Sequence, residues 1–376
     1  MHTLIDSIPR DSKPILNRDR ENSEPAPIFS RPHPLARRSF LRSLGMGAAL
    51  LGSGGALLGV TREALGQALA ETKAAASGDI AILRFLAAAE LLEQDLWQQY
   101  TELAEGNPSY KDALAVLDED MNQYIFDNTD DELSHADFLN AYLTSIGAQP
   151  INLDVFRTLP SSQATGAQQI GRLTNLMNLT VDTSWWIRYR STDNPDFGDE
   201  FPQFIDIVNR PAIPLQDLPG GSDEVQAIAN TAAFHFATIE QGGTSLYATL
   251  APKVTDLTVL KIVLGIGGAE VVHFAIWHDK AGNAPEVNVP GVSFPDMKSF
   301  EGDELRQKNL IMPEPCKFID PQLPACSVIR PFSLQRAGAV AAFTGLANSG
   351  LFRGQTRTFF RTFHDLALAA DAAFRG

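Results

Sequence analysis

The sequence predicts a mainly α-helical protein built around a four-helix bundle. Two Glu-x-x-His pairs, Glu132–His135 and Glu270–His273, each place a carboxylate and an imidazole one turn apart on the same helical face. Each pair follows an apolar helical segment that carries a glutamate of its own, Glu90 or Glu240. A glutamate from each of two helices and a Glu-x-x-His pair from each of the other two is the pattern by which such a bundle holds two metal ions in its core.

The spacing of apolar residues places these groups inside the predicted bundle. On the second helix apolar residues recur every three or four positions, and both candidate ligands fall within that stripe. The stripe consists of Leu117, Met121, Ile125, Asn128, Glu132, His135, Leu139, Tyr142 and Ile146. The other helices carry their candidate ligands in stripes of the same kind. A carboxylate in an apolar seam is costly unless it is paired or bound to metal, so four of them together require a cation.

The alternative interpretation of a Glu-x-x-His pair is a solvated helix surface, because a single pair often occurs by chance. Two pairs in apolar stripes, each preceded by a glutamate in a stripe, favour the metal site. Glu93 also lies in the stripe of the first helix. We expect it either to support the site without binding metal or to face solvent. His235, one residue off the stripe of the third helix, is expected to be a supporting or surface histidine.

Four stretches of the sequence resemble the ferritin-like superfamily, in particular its exported, desiccation-related members. They are residues 86–97, 131–139, 239–247 and 270–273, within a region of about residues 79–280. The resemblance implies a di-iron or di-manganese carboxylate site. Its ligands would be Glu90, Glu132, His135, Glu240, Glu270 and His273. Trp97 stands where such proteins more usually have a tyrosine.

Residues 1–70 carry the features of a disordered leader followed by an export signal. Arg37 and Arg38 precede Phe-Leu-Arg and then the weakly apolar run of residues 45–60. Paired arginines ahead of such a run are typical of a twin-arginine signal, whose export machinery delivers folded proteins to the periplasm or another extracytoplasmic compartment. The alternative is a basic patch beside a buried helix. The run is too short for a permanent span, so we expect none in the mature protein.

The ferritin-like bundle is predicted to occupy residues 79–282, interrupted by a long crossover insertion at residues 148–221. The insertion is longer than the bundle needs to cross its own length. Within it, residues 169–190 are predicted as a helix. Its Trp185 and Trp186 are expected to pack the insertion onto the bundle rather than bind a ligand.

Local signals set the predicted helix ends. Asp79 is expected to cap the first helix, and residues 106–108 (Gly-Asn-Pro) end it. A second, continuous helix is predicted over residues 111–146. Gly242 and Gly243 follow Glu240 directly, at a cost of about 1 kcal/mol each in a helix. They indicate a close approach of a neighbouring helix or an opening over the metals, with a simple kink as the alternative.

The C-terminal region, residues 283–376, is predicted as a loop-rich extension that ends in a helical pair. That pair, at residues 333–349 and 356–374, is expected to pack on the bundle or, in a homo-oligomer, on a second subunit. The extension holds the chain's two cysteines, Cys316 and Cys326. Export to an oxidising compartment favours a disulfide between them, and free thiols are the alternative.

The net charge of −15 argues against nucleic acid and anionic lipid as partners, since both would be repelled. Two classes of function stay open. The first is redox chemistry with oxygen or peroxide at two transition-metal ions, iron or manganese, as in a ferroxidase, peroxidase or catalase-like enzyme. The second is a non-catalytic stress or desiccation protein whose metal site is structural or empty. All six candidate ligands are present, which favours the first.

Overall fold

The computed structural model of the protein describes residues 77–188, 203–303, 313–314, 319–320, 322–328 and 338–375. Arg37, Arg38 and the rest of the predicted export segment lie outside the described residues. Cys316 also lies outside them, so its pairing with the exposed Cys326 stays a prediction.

Eight α-helices, three short 3-10 helices and six short strands occur in the described part of the chain. The helices are α1 (Ser77–Gly106), α2 (Pro108–Ala115), α3 (Met121–Ser145), α4 (Trp185–Arg188), α5 (Asp223–Leu250), α6 (Leu257–Ala281), α7 (Ala339–Asn348) and α8 (Arg357–Asp371). The strands are β1 (Leu179–Val181), β2 (Ile207–Arg210), β3 (Val287–Val289), β4 (Val292–Phe294), β5 (Pro313–Glu314) and β6 (Cys326–Ser327). They pair as three two-stranded antiparallel sheets, β1–β2, β3–β4 and β5–β6.

Helices α1, α3, α5 and α6 form the bundle, which confirms the predicted mainly α-helical fold. Helix α1 packs most extensively on α3, and α5 on α6, while α3 also contacts α6. Helix α6 is long and apolar enough, by length and composition, to cross a membrane. Its buried face carries Glu270 and His273 among apolar residues, so the same features describe a core helix of the bundle.

The prediction of one continuous helix over residues 111–146 is wrong. Helix α2 ends at Ala115 and α3 begins at Met121. Between them the Asp118 carboxylate accepts a hydrogen bond from the backbone N–H of Asp120 at 2.8 Å. It also forms an ion pair with Nζ of Lys280 of α6, at 2.6 Å. A side chain that bonds its own backbone competes with helix formation, and the contact to α6 holds the break in place.

Asp79 holds the start of another helix rather than capping its own. Its carboxylate is buried and accepts hydrogen bonds from the backbone N–H groups of Thr255 and Asp256 at 2.9 and 2.7 Å. It also accepts the Thr255 hydroxyl at 2.8 Å. The first turn of α1 is thereby tied to the residues that lead into α6.

The prediction of a helix over residues 169–190 is also wrong. Among the described residues 169–188 the chain is mostly irregular, with a strand at Leu179–Val181 and a helix only at Trp185–Arg188. The backbone N–H groups of Leu173 and Thr174 donate to the buried Asp95 carboxylate of α1 at 3.0 and 2.9 Å, so these donors are satisfied without a helix. Trp185 and Trp186 are buried, as expected, and the Trp185 ring packs 5.6 Å from Phe234 of α5.

The C-terminal helices pack on the bundle of the same chain. Helix α8 contacts α7 and α1, and its Phe359 and Phe363 side chains are buried. The Asp371 carboxylate, at the end of α8, accepts hydrogen bonds from the backbone N–H groups of Ala339 and Val340 at the start of α7. The helical pair was expected to pack either on the bundle or on a second subunit, and in the structure it packs on the bundle.

Candidate metal centre

The structure brings the six candidate ligands together at one level of the bundle. They are Glu90 from α1, Glu132 and His135 from α3, Glu240 from α5, and Glu270 and His273 from α6. The four glutamates are at most 1% exposed, whereas the histidine side chains are 12% and 7% exposed. The carboxylates therefore lie in the core, with the imidazoles closer to the surface.

The ligand atoms form two overlapping sets. The first set is Glu90, Glu132, His135 and Glu270, and the second is Glu132, Glu240, Glu270 and His273. Within each set, one ligand atom from each residue lies within 4.8 Å of the others. Either set could hold a metal ion. Because Glu132 and Glu270 belong to both sets, they are placed to bridge two positions.

The two oxygens of Glu132 face different histidines. His135 Nδ1 lies 3.1 Å from Glu132 Oε2, and His273 Nδ1 lies 3.1 Å from Glu132 Oε1. The centroids of the two imidazole rings are 6.2 Å apart. Each histidine thus directs the same nitrogen toward the shared carboxylate from opposite sides.

Several buried polar atoms of the site form no hydrogen bond of acceptable geometry with a described residue, although some lie at ion-pair distance from one another. They are Oε2 of Glu90, Oε2 of Glu240, both carboxylate oxygens of Glu270 and Nδ1 of His273. Unpaired buried carboxylate oxygens are strongly unfavourable, and a bound cation satisfies them. The donor set of carboxylate oxygens and imidazole nitrogens is one that transition metals accept. The residues present therefore fit a metal ion.

Burial and mutual repulsion raise the pKa values of Glu132 and Glu270, the two carboxylates common to both sets. Burial raises the pKa of Glu132 to about 7, and the neighbouring Glu240 carboxylate adds to the rise. Burial, together with the Glu132 carboxylate, also holds the pKa of Glu270 well above its usual range. The metal-free site therefore resists full ionisation.

The pKa values of both histidines are raised as well, which for a histidine favours the charged form. Burial by itself would lower the pKa of His135, but its contacts with Glu132 and Glu90 outweigh burial and raise the pKa to about 10. Burial would also lower the pKa of His273, but the Glu240, Asp131 and Glu132 carboxylates together outweigh burial and raise it. Without metal, protonated imidazoles supply the positive charge that the carboxylates need. A metal ion that binds here must displace those protons.

Asn128 fixes two carboxylates of the site. Its Nδ2 donates to Oε1 of Glu132 at 3.0 Å and to Oε1 of Glu240 at 3.1 Å, and its Oδ1 accepts Nε1–H of Trp277 at 2.9 Å. The Trp277 ring stacks on Trp97, with centroids 5.2 Å apart. Sequence analysis did not predict Asn128 as a site residue. An amide in an apolar stripe, one turn before Glu132, was the signal that could have found it.

Two further polar side chains support the ligands and were not predicted. Tyr247 of α5 donates its hydroxyl hydrogen to Oε1 of Glu90. Asp131, which precedes Glu132, lies with its Oδ2 3.2 Å from Nε2 of His273 on the neighbouring helix. The sequence alone indicated neither contact, because each contact depends on how two helices are rotated against one another.

Glu93 and His235 belong to neither ligand set. Glu93 is partly exposed, but its Oε2 is buried without a partner among the described residues, and burial with the Glu90 carboxylate holds its pKa well above the usual range. His235 is buried, and burial lowers its pKa to about 3. Its Nδ1 forms a hydrogen bond of 2.8 Å with the Tyr100 hydroxyl. His235 is thus a neutral core histidine.

The two neighbouring glycines of α5 have different surroundings. A Cβ at Gly243 would overlap Oε2 of Glu270 and lie 3.0 Å from its Cδ, whereas a Cβ at Gly242 would meet nothing within 4 Å. Among the predicted alternatives, the structure shows a close approach: Glu270 of the neighbouring helix α6 lies against the backbone of Gly243. Its missing side chain leaves the space that the shared carboxylate of Glu270 occupies.

Gly243→Ala and Gly242→Ala form a matched pair. We expect Gly243→Ala to displace the Glu270 carboxylate and lower metal content, while Gly242→Ala keeps metal content and stabilises the fold by up to about 1 kcal/mol through helix propensity. Metal analysis and chemical denaturation of both variants check this. Equal metal content in the two variants would contradict it.

Stability of the metal-free protein should fall as pH rises from about 4.5 to 10. Glu132 has its ordinary pKa of 4.5 in the unfolded chain and a pKa of about 7 in the folded chain. Ionisation of Glu132 therefore favours the unfolded chain as pH rises through this range. Protonated His135 stabilises the fold fully below its unfolded pKa near 6.5, and this contribution is lost as pH rises through about 10. Thermal unfolding after chelation measures the slope, which should be shallower in Glu132→Gln. A parent protein more stable at pH 9 than at pH 6 would refute this.

Comparison with known proteins gave one match. The family described as the ferritin-like domain matches residues 78–283, which include all four bundle helices and all six candidate ligands. Searches of curated proteins and of solved structures found no match. The matched region is more than half of the chain, and its buried Glu and His side chains form clusters that could hold a metal. The chain therefore belongs to the ferritin-like domain family.

Proposed function

We propose that this protein holds two iron or manganese ions between the four bundle helices and carries out redox chemistry with oxygen or peroxide there. The observation that carries the proposal is the pair of overlapping ligand sets, which share Glu132 and Glu270. Two carboxylates common to both sets are what a bridged pair of ions requires. One isolated ion would need neither the second histidine nor the fourth carboxylate.

Charge and ligand type support iron or manganese. The four carboxylates carry four negative charges when ionised, which two divalent ions would neutralise. The set contains no thiolate, so it lacks the soft ligands that select zinc or copper(I) in sulfur-rich sites. Carboxylate oxygens with a small number of imidazoles suit manganese and non-haem iron.

The side chains around the ligands define how small molecules reach the site. When bound, the ions would supply the change of oxidation state that reaction with oxygen or peroxide needs. On one side, the buried rings of Trp97, Phe236 and Trp277 pack within 5.2 Å of one another and exclude water. On the other, the His135 side chain is 12% exposed. We infer that small oxidants enter beside His135 and that Tyr247 holds the Glu90 carboxylate in place.

Replacing the shared glutamate tests the proposal. Glu132→Ala should lose most of both ions because it removes a ligand from each set, whereas Glu90→Ala should lose chiefly one. Glu105→Ala, at an exposed position on α1, is the control and should keep both. Metal analysis of protein matured in its host, followed by oxygen and peroxide turnover, measures these effects.

The outcome separates the two function classes. Turnover that is lost together with metal in Glu132→Ala supports an oxidoreductase. Bound metal without turnover in the parent would favour the alternative, a non-catalytic stress or desiccation-related protein with a structural site. A Glu132→Ala protein with as much iron or manganese as the parent would refute the site itself.

We also propose that the protein is exported, folded, to an extracytoplasmic compartment by the twin-arginine machinery, since Arg37 and Arg38 precede an apolar run of the required kind. Arg37→Lys with Arg38→Lys should leave the protein in the cytoplasm, because the pair presents guanidinium groups rather than charge alone. Cell fractionation checks this, and unchanged appearance outside the cytoplasmic membrane would contradict it.

A further inference from the structure

We propose that the two metal positions are unequal, and that the position formed by Glu240 and His273 binds its ion more tightly because of Asp131. This position is called the second position, and the one formed by Glu90 and His135 is called the first position. The inference rests on the proposed function, since it assumes that both positions bind metal.

The second position has a carboxylate behind its histidine. His273 directs Nδ1 to the ligand carboxylates, 3.1 Å from Glu132 and 3.3 Å from Glu240. Its opposite nitrogen, Nε2, lies 3.2 Å from Oδ2 of Asp131. With Nδ1 available to a metal, Nε2 carries the hydrogen and donates it to Asp131. Such a carboxylate fixes the ring and its tautomer and makes the ligating nitrogen a stronger donor.

The first position lacks this carboxylate, although the two halves of the bundle repeat one another. Asp131 is the residue before the Glu-x-x-His pair of α3 and reaches across to the histidine of α6. The residue in the same place before the pair of α6 is Ala269. A methyl group accepts no hydrogen bond and carries no charge. His135 therefore receives from α6 none of the support that His273 receives from α3.

Other supporting contacts do not cancel this difference. Each position has a terminal glutamate that accepts a hydrogen bond: Glu240 accepts the Asn128 amide, and Glu90 accepts the Tyr247 hydroxyl. The Asn128 amide can have only one orientation, because the Trp277 indole is a donor and must face Oδ1. Each terminal glutamate thus has one hydrogen-bond donor, whereas of the two histidines only His273 has a carboxylate behind it.

Exposure limits the expected size of the effect. The Asp131 side chain is 59% exposed, so solvent screens its charge. Loss of such a supporting group typically costs 10- to 100-fold in metal affinity, and we expect the lower end, about tenfold.

Titration of the metal-free, full-length protein with Co2+ tests the inference, with calorimetry for affinity and visible absorption for coordination. The parent should bind two ions in steps that differ about tenfold in affinity. Asp131→Asn should weaken the tighter step about tenfold and leave the weaker one unchanged. Ala269→Asp should strengthen the weaker step by giving His135 the missing carboxylate. Asp127→Asn, which removes the same charge from an exposed position one turn away, should change neither step.

Histidine variants assign the steps to positions. His273→Ala should abolish the tighter step, and His135→Ala should keep it. Two equal steps in the parent, equal weakening of both steps in Asp131→Asn, or a tight step that survives in His273→Ala would each overturn the inference. If a histidine variant does not fold, the Asp131→Asn and Ala269→Asp titrations still test whether the two positions are unequal. A parent that binds no Co2+ would refute the proposed function instead.

Discussion

Four carboxylates buried at one level of the bundle are the constraint on which the rest of the structure depends. Glu90, Glu132, Glu240 and Glu270 are each at most 1% exposed, and burial of ionised groups is costly without opposite charge. The neighbouring side chains reduce that cost without removing it. Protonated imidazoles, one amide and one phenol hydroxyl leave several carboxylate oxygens without a partner among the described residues. A cation would complete the arrangement.

The scaffold keeps four helices in register because the ligands come from all of them. Polar contacts away from the site do this. Asp79 ties the start of α1 to the residues before α6, and Asp118 ties the α2–α3 break to Lys280 of α6. Asp95 binds the crossover to α1. Each is a carboxylate that satisfies backbone or lysine donors of another segment. Asp79 and Asp118 do so at a helix start and a helix break, and Asp95 does so from the middle of α1.

The surroundings of the site differ between its two ends. Buried aromatic rings close the side next to Asn128, and the histidine side is partly open. The Asp131 carboxylate lies on that open side, against His273 alone. Such a site admits small oxidants more readily than bulky organic molecules, and it distinguishes two positions that the sequence motif presents as equivalent. This combination agrees with the proposed redox role.

The sequence by itself determined the fold class and placed the six candidate ligands on the inner faces of their helices, because helical periodicity and one-turn spacing are local properties of the chain. Glu132 and His135 lie on one face whatever α3 packs against. The tertiary structure decided what depends on neighbouring helices. It broke the second helix at Asp118, replaced a predicted helix by irregular chain bound to Asp95, and gave Asn128, Tyr247 and Asp131 their partners. These contacts join residues that are distant along the chain, and their geometry follows from how the helices are rotated and packed, which no local pattern contains.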